Sequence, residues 1–462
     1  MGGFFIGIYS PPRKQTDRLL HQRSIETSFS LKKVLIITYY WPPSGGAGVQ
    51  RWLKFVKYLR NFGWEPVVYT PSNPENPVDD ASLLKDLPSN LEVLQQPIWE
   101  PYDLYKKFIG QKPHQKINAG FISENKKPKL TEKISVFIRG NFFIPDARVF
   151  WVKPSVKFLT SYLKENKVDA LISTGPPHSM HLIAMQIHKK NNLPWLADFR
   201  DPWTNIDFYK DLLLTKTADK KHHKLEKEVL QKASRVITIG STMAKEFQII
   251  ANRNVDVITN GFDDADKSSE VVIEDKKFSI AHIGSLNKDR NPQLLWEVLS
   301  EMIAGNPVFK ADLEIKLAGK IDFTVIDKID ALGLADNLRK IEYLKHNEVI
   351  IEQQRSQILL LLVNNTPNAK GILTGKLFEY LAAKRPILCI GVADGDAAKI
   401  INETQSGVVV NFGDKEKMKA TVSAFYEQFK NNKLKVTSQS VDRYSRKNLT
   451  QQLVEVLNQM TS

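Results

Sequence analysis

The sequence predicts an α/β protein made of two doubly wound, parallel-sheet domains that face each other across a cleft. Three observations carry this expectation. Short, continuously apolar segments recur along the chain, among them Lys32–Thr38, Phe278–Ile283 and Pro386–Ile390, and such runs mark strands buried on both faces of a parallel sheet. Stretches with helical spacing of apolar residues lie between them, the alternation that parallel sheets require. That alternation runs to residue 257, pauses, and restarts near residue 276. At 462 residues the chain exceeds what one core supports, and two domains of about 200 residues each are expected.

Residues 1–30 read as a disordered extension or as a start codon placed too early. Met1–Tyr9 is apolar, but no basic region precedes it and no small-residue cleavage site follows. The first domain is assigned to 31–257. It opens with the strand Lys32–Thr38 and a loop carrying Gly45 and Gly46. The helix Val49–Asn61 follows, with Val49, Leu53, Val56 and Leu59 on one face, and Gly63 ends it. Glu65–Thr70, Ala170–Ser173, Trp195–Asp198 and Arg235–Ile239 are further strands, with helices at Ser179–Lys190 and Leu212–Lys232. An insertion at about 73–154 mixes Trp99, Tyr102, Phe137, Phe142, Phe143 and Phe150 with Lys112, Lys133, Arg139 and Arg148. Within it, Thr131–Phe143 is expected to form a basic amphipathic helix. Either residues 99–150 touch an anionic membrane surface, or the insertion is a solvated excursion whose aromatics pack on the domain.

Residues 258–275 are the expected interdomain linker, beginning Ile258-Thr-Asn-Gly-Phe-Asp263. The second domain, 276–440, contains the strands Phe278–Ile283, Leu313–Leu317, Ile358–Val363 and Pro386–Ile390. Its helices are Gln293–Ala304, Thr324–Ala331 and Lys376–Ala383. Residues 441–462 end in a helix near Arg446–Met460 that places Leu449, Leu453, Val456 and Leu457 on one face and is expected to pack back on the body.

A net charge of +14 suits polyanionic partners: nucleotides, nucleic acid or an anionic membrane. Nucleic acid is disfavoured, because the strands show no surface aromatic pattern for stacking bases. No run approaches 18 apolar residues, so no membrane span is expected. The lone Cys389 excludes an internal disulfide and falls in a buried strand.

The segment Gly371–Leu388 is the richest in chemistry. A glycine-containing turn opens a short helix, so the amides of Thr374, Gly375 and Lys376 point outward where the helix dipole favours an anion. Lys376 adds a full charge, and Glu379, one turn in, is placed to accept hydrogen bonds from a diol such as a ribose. The combination reads as a nucleotide diphosphate site; the plainer alternative is an ordinary helix N-terminus. Gly45 and Gly46 would allow close approach of the backbone to a phosphate or sugar. His178, after a strand end, reads either as a crevice residue or as a helix cap. Asp198, Arg200 and Asp201 end another strand, as an ion pair shaping the cleft or, with a third ligand still missing, a metal pair. His222 and His223 are expected on an exposed helical face. Arg290, just before Pro292, suits a bidentate grip on a diphosphate.

With these residues in place, the chain from Lys32 to its last helix resembles retaining nucleotide-sugar glycosyltransferases of the GT-B fold, of the family 4 or group 1 type. The Gly45-Gly46 loop, Pro177-His178, the hinge Ile258–Asp263, the Gly284-Ser-Leu turn and Lys376–Glu379 carry the likeness. It implies two Rossmann-like domains, the second binding a UDP- or GDP-sugar donor and the first a glycan or lipid-linked acceptor. It implies a hexosyltransferase of cell-envelope polysaccharide synthesis, cytoplasmic and peripheral at the inner face of the membrane, with no metal or other cofactor. By resemblance, Arg290 and Lys376 stabilise the departing diphosphate and His178 lies near the donor sugar. Gly45, Gly46, Ser285, Lys370, Gly371, Thr374, Gly375, Leu377 and Glu379 join the donor site, while Asp198, Arg200 and Asp201 orient the acceptor. The pattern departs at two places. The family's arginine and lysine after the Gly284 turn fall on Ser285 and Arg290, and the first of its paired glutamates falls on Gly371. Two other classes fit the same residues. A catalytically silent homologue that binds nucleotide sugar or glycan is favoured by Gly371, and a sugar-nucleotide epimerase is disfavoured by the carboxylate missing there.

Overall fold

The structure, a computed structural model, describes residues 31–75, 79–101, 130–264, 272–342 and 344–462. The expected N-terminal extension, Tyr102 and Lys112 of the insertion, and positions 265–271 of the linker lie outside the described residues.

Thirteen strands are seen among the described residues, in two wholly parallel sheets. The first sheet contains β1 (Lys32–Ile37), β2 (Trp64–Pro71), β3 (Glu92–Gln96), β4 (Ala170–Gly175), β5 (Trp195–Phe199), β6 (Arg235–Thr238) and β7 (Asp256–Val257), in the order β3-β2-β1-β4-β5-β6-β7. The second contains β8 (Phe278–Ile283), β9 (Leu313–Ala318), β10 (Leu338–Ile341), β11 (Ile358–Leu362), β12 (Ile387–Ile390) and β13 (Gly407–Val410), in the order β10-β9-β8-β11-β12-β13. Each sheet is therefore wound outward in both directions from its first strand. Its switch point lies between β1 and β4 in one half and between β8 and β11 in the other.

Apolar runs fill the sheet centres: every residue of β4, β5, β8, β11 and β12 is buried. The edge strands β3 and β10 lack such runs and carry charged residues, as strands with one open side do. Helices cover both faces. The expected helix Leu212–Lys232 is shorter, because Tyr209–Leu212 is a separate turn and Thr215 caps a helix that starts at Lys216. The helix Val149–Glu165 holds Pro154 in its second turn, where the ring leaves Phe150 O without its i+4 donor.

The chain crosses between the halves twice, and the two crossings run side by side. Phe262 N donates to Tyr444 O at 3.1 Å, and Arg446 N donates to Phe262 O at 2.7 Å. The final helix Arg446–Met460 returns to the first half. Its Leu449, Leu453, Val454 and Leu457 share a core with Val49, Trp52 and Val56 of the helix Ala47–Leu59, each such buried side chain contributing about 2 kcal/mol. Where the first crossing enters the second half, Asp275 accepts from the fully buried Lys316 ammonium at 2.5 Å, with Glu352 completing the group at 2.6 Å. Within the described residues no helix is long and apolar enough to cross a membrane.

Candidate active site

In open α/β sheets, ligands sit outside the carboxyl ends of the strands at the switch point. The carboxyl end of the first sheet faces the helix Gly375–Ala383 of the second half across a cleft of about 510 Å³. Gly46, Gly48, Arg200 and Asp201 line it from the first half, Asn260 and Gly261 from the crossing, and Gln353, Thr374, Gly375 and Glu379 from the second half.

The second half's lip is built by the helix Gly375–Ala383. Thr374 precedes it in extended conformation and does not cap it, so its first amides have no side-chain acceptor. The Thr374 hydroxyl is itself buried with no hydrogen-bond partner. Glu379 is exposed one turn along, its Oε2 accepting from Gln353 Nε2 at 3.1 Å. Just outside the lining, the turn after β8 holds Gly284 at φ +125°, a conformation few other residues adopt. The Lys376 side chain lies over it, so that a Cβ at 284 would meet Nζ at 2.5 Å. Arg290 leaves the same turn, and its Nε donates to Asn364 Oδ1 at 2.5 Å beyond the end of β11.

Among the described residues neither Arg290 nor Lys376 has a carboxylate in ion-pair range. Burial pulls the Lys376 ammonium below its ordinary pKa, Glu379 opposing and Arg290 assisting. Beneath them His282, bonded through Nδ1 to Leu360 O at 3.0 Å, is pushed down to about 4 by burial and stays neutral. Ser285 is exposed at the turn. Two half-buried cations near each other are favourable surroundings for an anion.

The first half's lip treats its charges differently. Gly46, at φ +93°, precedes the helix Ala47–Leu59 and faces the cleft, with Gly45 buried beside it. Arg200 clamps this loop to the one after β4: Nη1 donates to Gly48 O at 2.6 Å, Nε to Gly175 O at 3.3 Å, and Nη2 to Pro176 O. Asp201 opens on the cleft. The protein mass around it raises its carboxyl above the ordinary range, against the pull of Arg200.

Several expectations are corrected here. Asp198 does not reach an acceptor. It is fully buried and accepts from Arg51 Nη2 at 3.0 Å, Trp52 Nε1 at 2.7 Å and Thr174 Oγ1 at 2.9 Å. Arg51 also donates to Ile258 O and Thr259 O, at 2.9 and 2.8 Å, so this pair fastens the first helix to the crossing. The signal for it was an arginine at helical spacing among Trp52, Phe55 and Val56. His178 does not line the cleft; it is buried, stacked flat on Trp203 at 4.6 Å, with Nδ1 unpartnered against Gly175. His222 is buried rather than exposed, accepting from Trp203 Nε1 at 3.1 Å. Lys370 points to solvent and pairs with Asp394. Gly371 faces Thr242 of the first half, and the Leu377 side chain lies in the core under its helix. No group of three or more His, Cys, Asp or Glu among the described residues stands together as a metal site.

No protein-family model and no curated protein matches the chain in sequence. Solved structures match it in shape along nearly its whole length. A glycosyltransferase from Rickettsia africae ESF-5 has a TM-score of 0.59 at 13% identity, covering 93% of this chain and 98% of that one. HepE of Anabaena, in complex with UDP-glucose, has a TM-score of 0.57 at 14% identity, covering 93% and 100%. WaaG, a glycosyltransferase involved in lipopolysaccharide biosynthesis, has a TM-score of 0.51 at 13% identity, covering 92% and 99%. The chain thus has the GT-B fold of such glycosyltransferases: two parallel-sheet α/β domains opposed across a cleft.

Proposed function

We propose that the chain is a glycosyltransferase that moves a sugar from a UDP- or GDP-linked donor to a glycan or lipid-linked acceptor in cell-envelope polysaccharide synthesis. The observation that carries this reading is the pair Arg290 and Lys376, without carboxylate partners, beside the uncapped N-terminus at Gly375. A diphosphate supplies the charge this corner lacks. Glu379, steadied by Gln353, is one turn away to accept the ribose hydroxyls. Proteins of similar fold support the class of donor and pathway: HepE is solved with UDP-glucose, and WaaG is involved in lipopolysaccharide biosynthesis.

In this mechanism the cations and helix amides stabilise charge on the departing diphosphate. The acceptor enters between Gly46–Gly48 and Asp201. Its hydroxyl attacks the anomeric carbon on the face the phosphate leaves, and its proton passes to the leaving phosphate oxygen. The configuration is retained and no side-chain base is required. Ile134, Phe137, Ile138 and Phe142 are exposed along one side of the helix Leu130–Phe142, with Lys133 and Arg139 beside them. This face favours docking of a cytoplasmic enzyme on an anionic membrane surface. Gly371 favours a second reading, a donor-binding protein without transfer activity, since no carboxylate meets the sugar there.

The test is release of nucleoside diphosphate from a panel of UDP-, GDP-, ADP- and dTDP-sugars by the purified chain. Slow hydrolysis of one class is expected and eliminates the silent reading. Binding without release supports the silent reading, and neither binding nor release removes the proposal.

A further inference from the structure

The helix Ser241–Ala251 of the first half begins after Gly240, and none of its own residues caps it through a side chain. The missing acceptor comes from the other half. Asp396 Oδ2 accepts from the Thr242 amide at 2.9 Å, and Oδ1 accepts from the hydroxyls of Ser241 at 2.6 Å and Thr242 at 3.0 Å. Asp396 lies in the first turn of its own helix, Asp396–Glu403, so one buried carboxylate serves two helix N-termini at once. Lys399 closes the group, with Nζ 2.7 Å from Ser241 Oγ and 3.2 Å from Asp396 Oδ1.

Two glycines leave the room for this contact. A Cβ at Gly240 would stand 2.6 Å from Asp396 Oδ2 and 3.4 Å from Leu373 Cδ1, and a Cβ at Gly371 would stand 3.3 Å from Thr242. Leu373 and Gly371 belong to the loop that runs directly into Thr374, Gly375 and Lys376. The contact between the halves therefore lies immediately behind the anion corner. It also gives Gly371 a physical reason: a longer side chain there would enter the space Thr242 fills.

We propose that Asp396 is a positioning residue. By capping the first half's helix from the second half, it holds the loop Gly371–Lys376 against the first half and keeps the two lips of the cleft assembled before any ligand binds. Donor affinity then includes the fraction of molecules already assembled, and releasing the contact lowers affinity by lowering that fraction. The effect on affinity rests on the function proposed above; the effect on shape and on helix capping does not.

The experiment uses the full chain as wild type, Asp396→Ala, Asp396→Asn and Gly240→Ala. Three readouts apply: small-angle scattering, hydrogen exchange at the Thr242 amide, and steady-state kinetics with the donor sugar found active. Asp396→Ala is expected to enlarge the particle, to lose most of the Thr242 protection, and to raise the donor KM about tenfold with kcat within about twofold. Asp396→Asn retains an acceptor oxygen and should recover most of the protection. Gly240→Ala displaces the carboxylate without altering it and should reproduce Asp396→Ala, which covers the case in which that variant folds poorly. Wild-type scattering together with wild-type Thr242 protection in Asp396→Ala and Gly240→Ala overturns the proposal. So does a fall in kcat at unchanged KM. If the wild type binds no nucleotide, the functional reading fails while scattering and exchange still decide the role of Asp396.

Discussion

At the end of β5, Asp198 is ringed by Arg51, Trp52 and Thr174 and has no capacity left for a ligand. At the turn after β8, Arg290 and Lys376 stand near each other, and neither makes an ion pair among the described residues, Glu379 being the carboxylate that acts on Lys376. The same topology supports both lips of the cleft, yet Asp198 is satisfied by internal partners while Arg290 and Lys376 make no ion pair. A buried ion pair that is already complete fastens elements together, whereas a cationic pair without counter-ions is held ready for an anion from outside. This contrast separates the structural charges of the fold from the ones available for chemistry.

The strongest way to break the comparison is to remove one charge from each lip. Asp198→Ala leaves Arg51 buried without its counter-ion and is expected to cost about 3–5 kcal/mol of unfolding free energy in urea denaturation. Lys376→Ala removes a half-buried cation that makes no ion pair and should change stability by no more than about 1 kcal/mol. Equal losses in the two variants would erase the distinction.

Acid sharpens the comparison at the level of whole halves. Burial, reinforced by the neighbouring His181, Arg200 and His222, holds His178 well below its ordinary 6.5, and burial pushes His181 down to about 3. Unfolded imidazoles bind protons below about pH 6.5 while these two stay neutral, so their stability contribution is full above that value and is lost progressively as pH falls. Among the described residues of the second half, His282 alone is in this condition. Hydrogen exchange between pH 7 and 5 should therefore show amides of the helix Ser179–Asn191 losing protection before those of Gly375–Ala383. The reverse order would assign the acid-sensitive region to the wrong half.

A smaller effect is expected at Glu379. Glu379→Gln should weaken binding of a ribonucleoside diphosphate about tenfold while leaving inorganic pyrophosphate affinity unchanged. Equal losses for both ligands would place Glu379 at the phosphates instead of the ribose.

The fold was largely legible because a doubly wound sheet writes its central strands as apolar runs. β8 and β12 could be placed within a residue, whereas β3 and β10, half-open edge strands reading Glu-Val-Leu-Gln-Gln and Leu-Arg-Lys-Ile, carry no such run. The helix Val149–Glu165 runs across the expected end of the insertion at 154. What depends on neighbours in sequence was readable: Thr374, Gly375, Lys376 and Glu379 share one helix start, expected at Lys376 and found at Gly375. What depends on distant partners was not. Asp198 looked available until Arg51, 147 positions earlier, took it, and the cap of the helix Ser241–Ala251 comes from Asp396, 155 positions later.

The cations Arg290, after β8, and Lys376, at the start of the helix Gly375–Ala383, are proposed to bind the diphosphate of a nucleotide donor. Calorimetric titration of UDP and GDP into the wild type, Lys376→Ala and Arg290→Ala measures this directly. The account predicts saturable binding of one nucleotide to the wild type, weakened about 100-fold in each variant, a loss of about 2.7 kcal/mol. Undiminished binding in both variants would contradict it, since the diphosphate would then be held elsewhere.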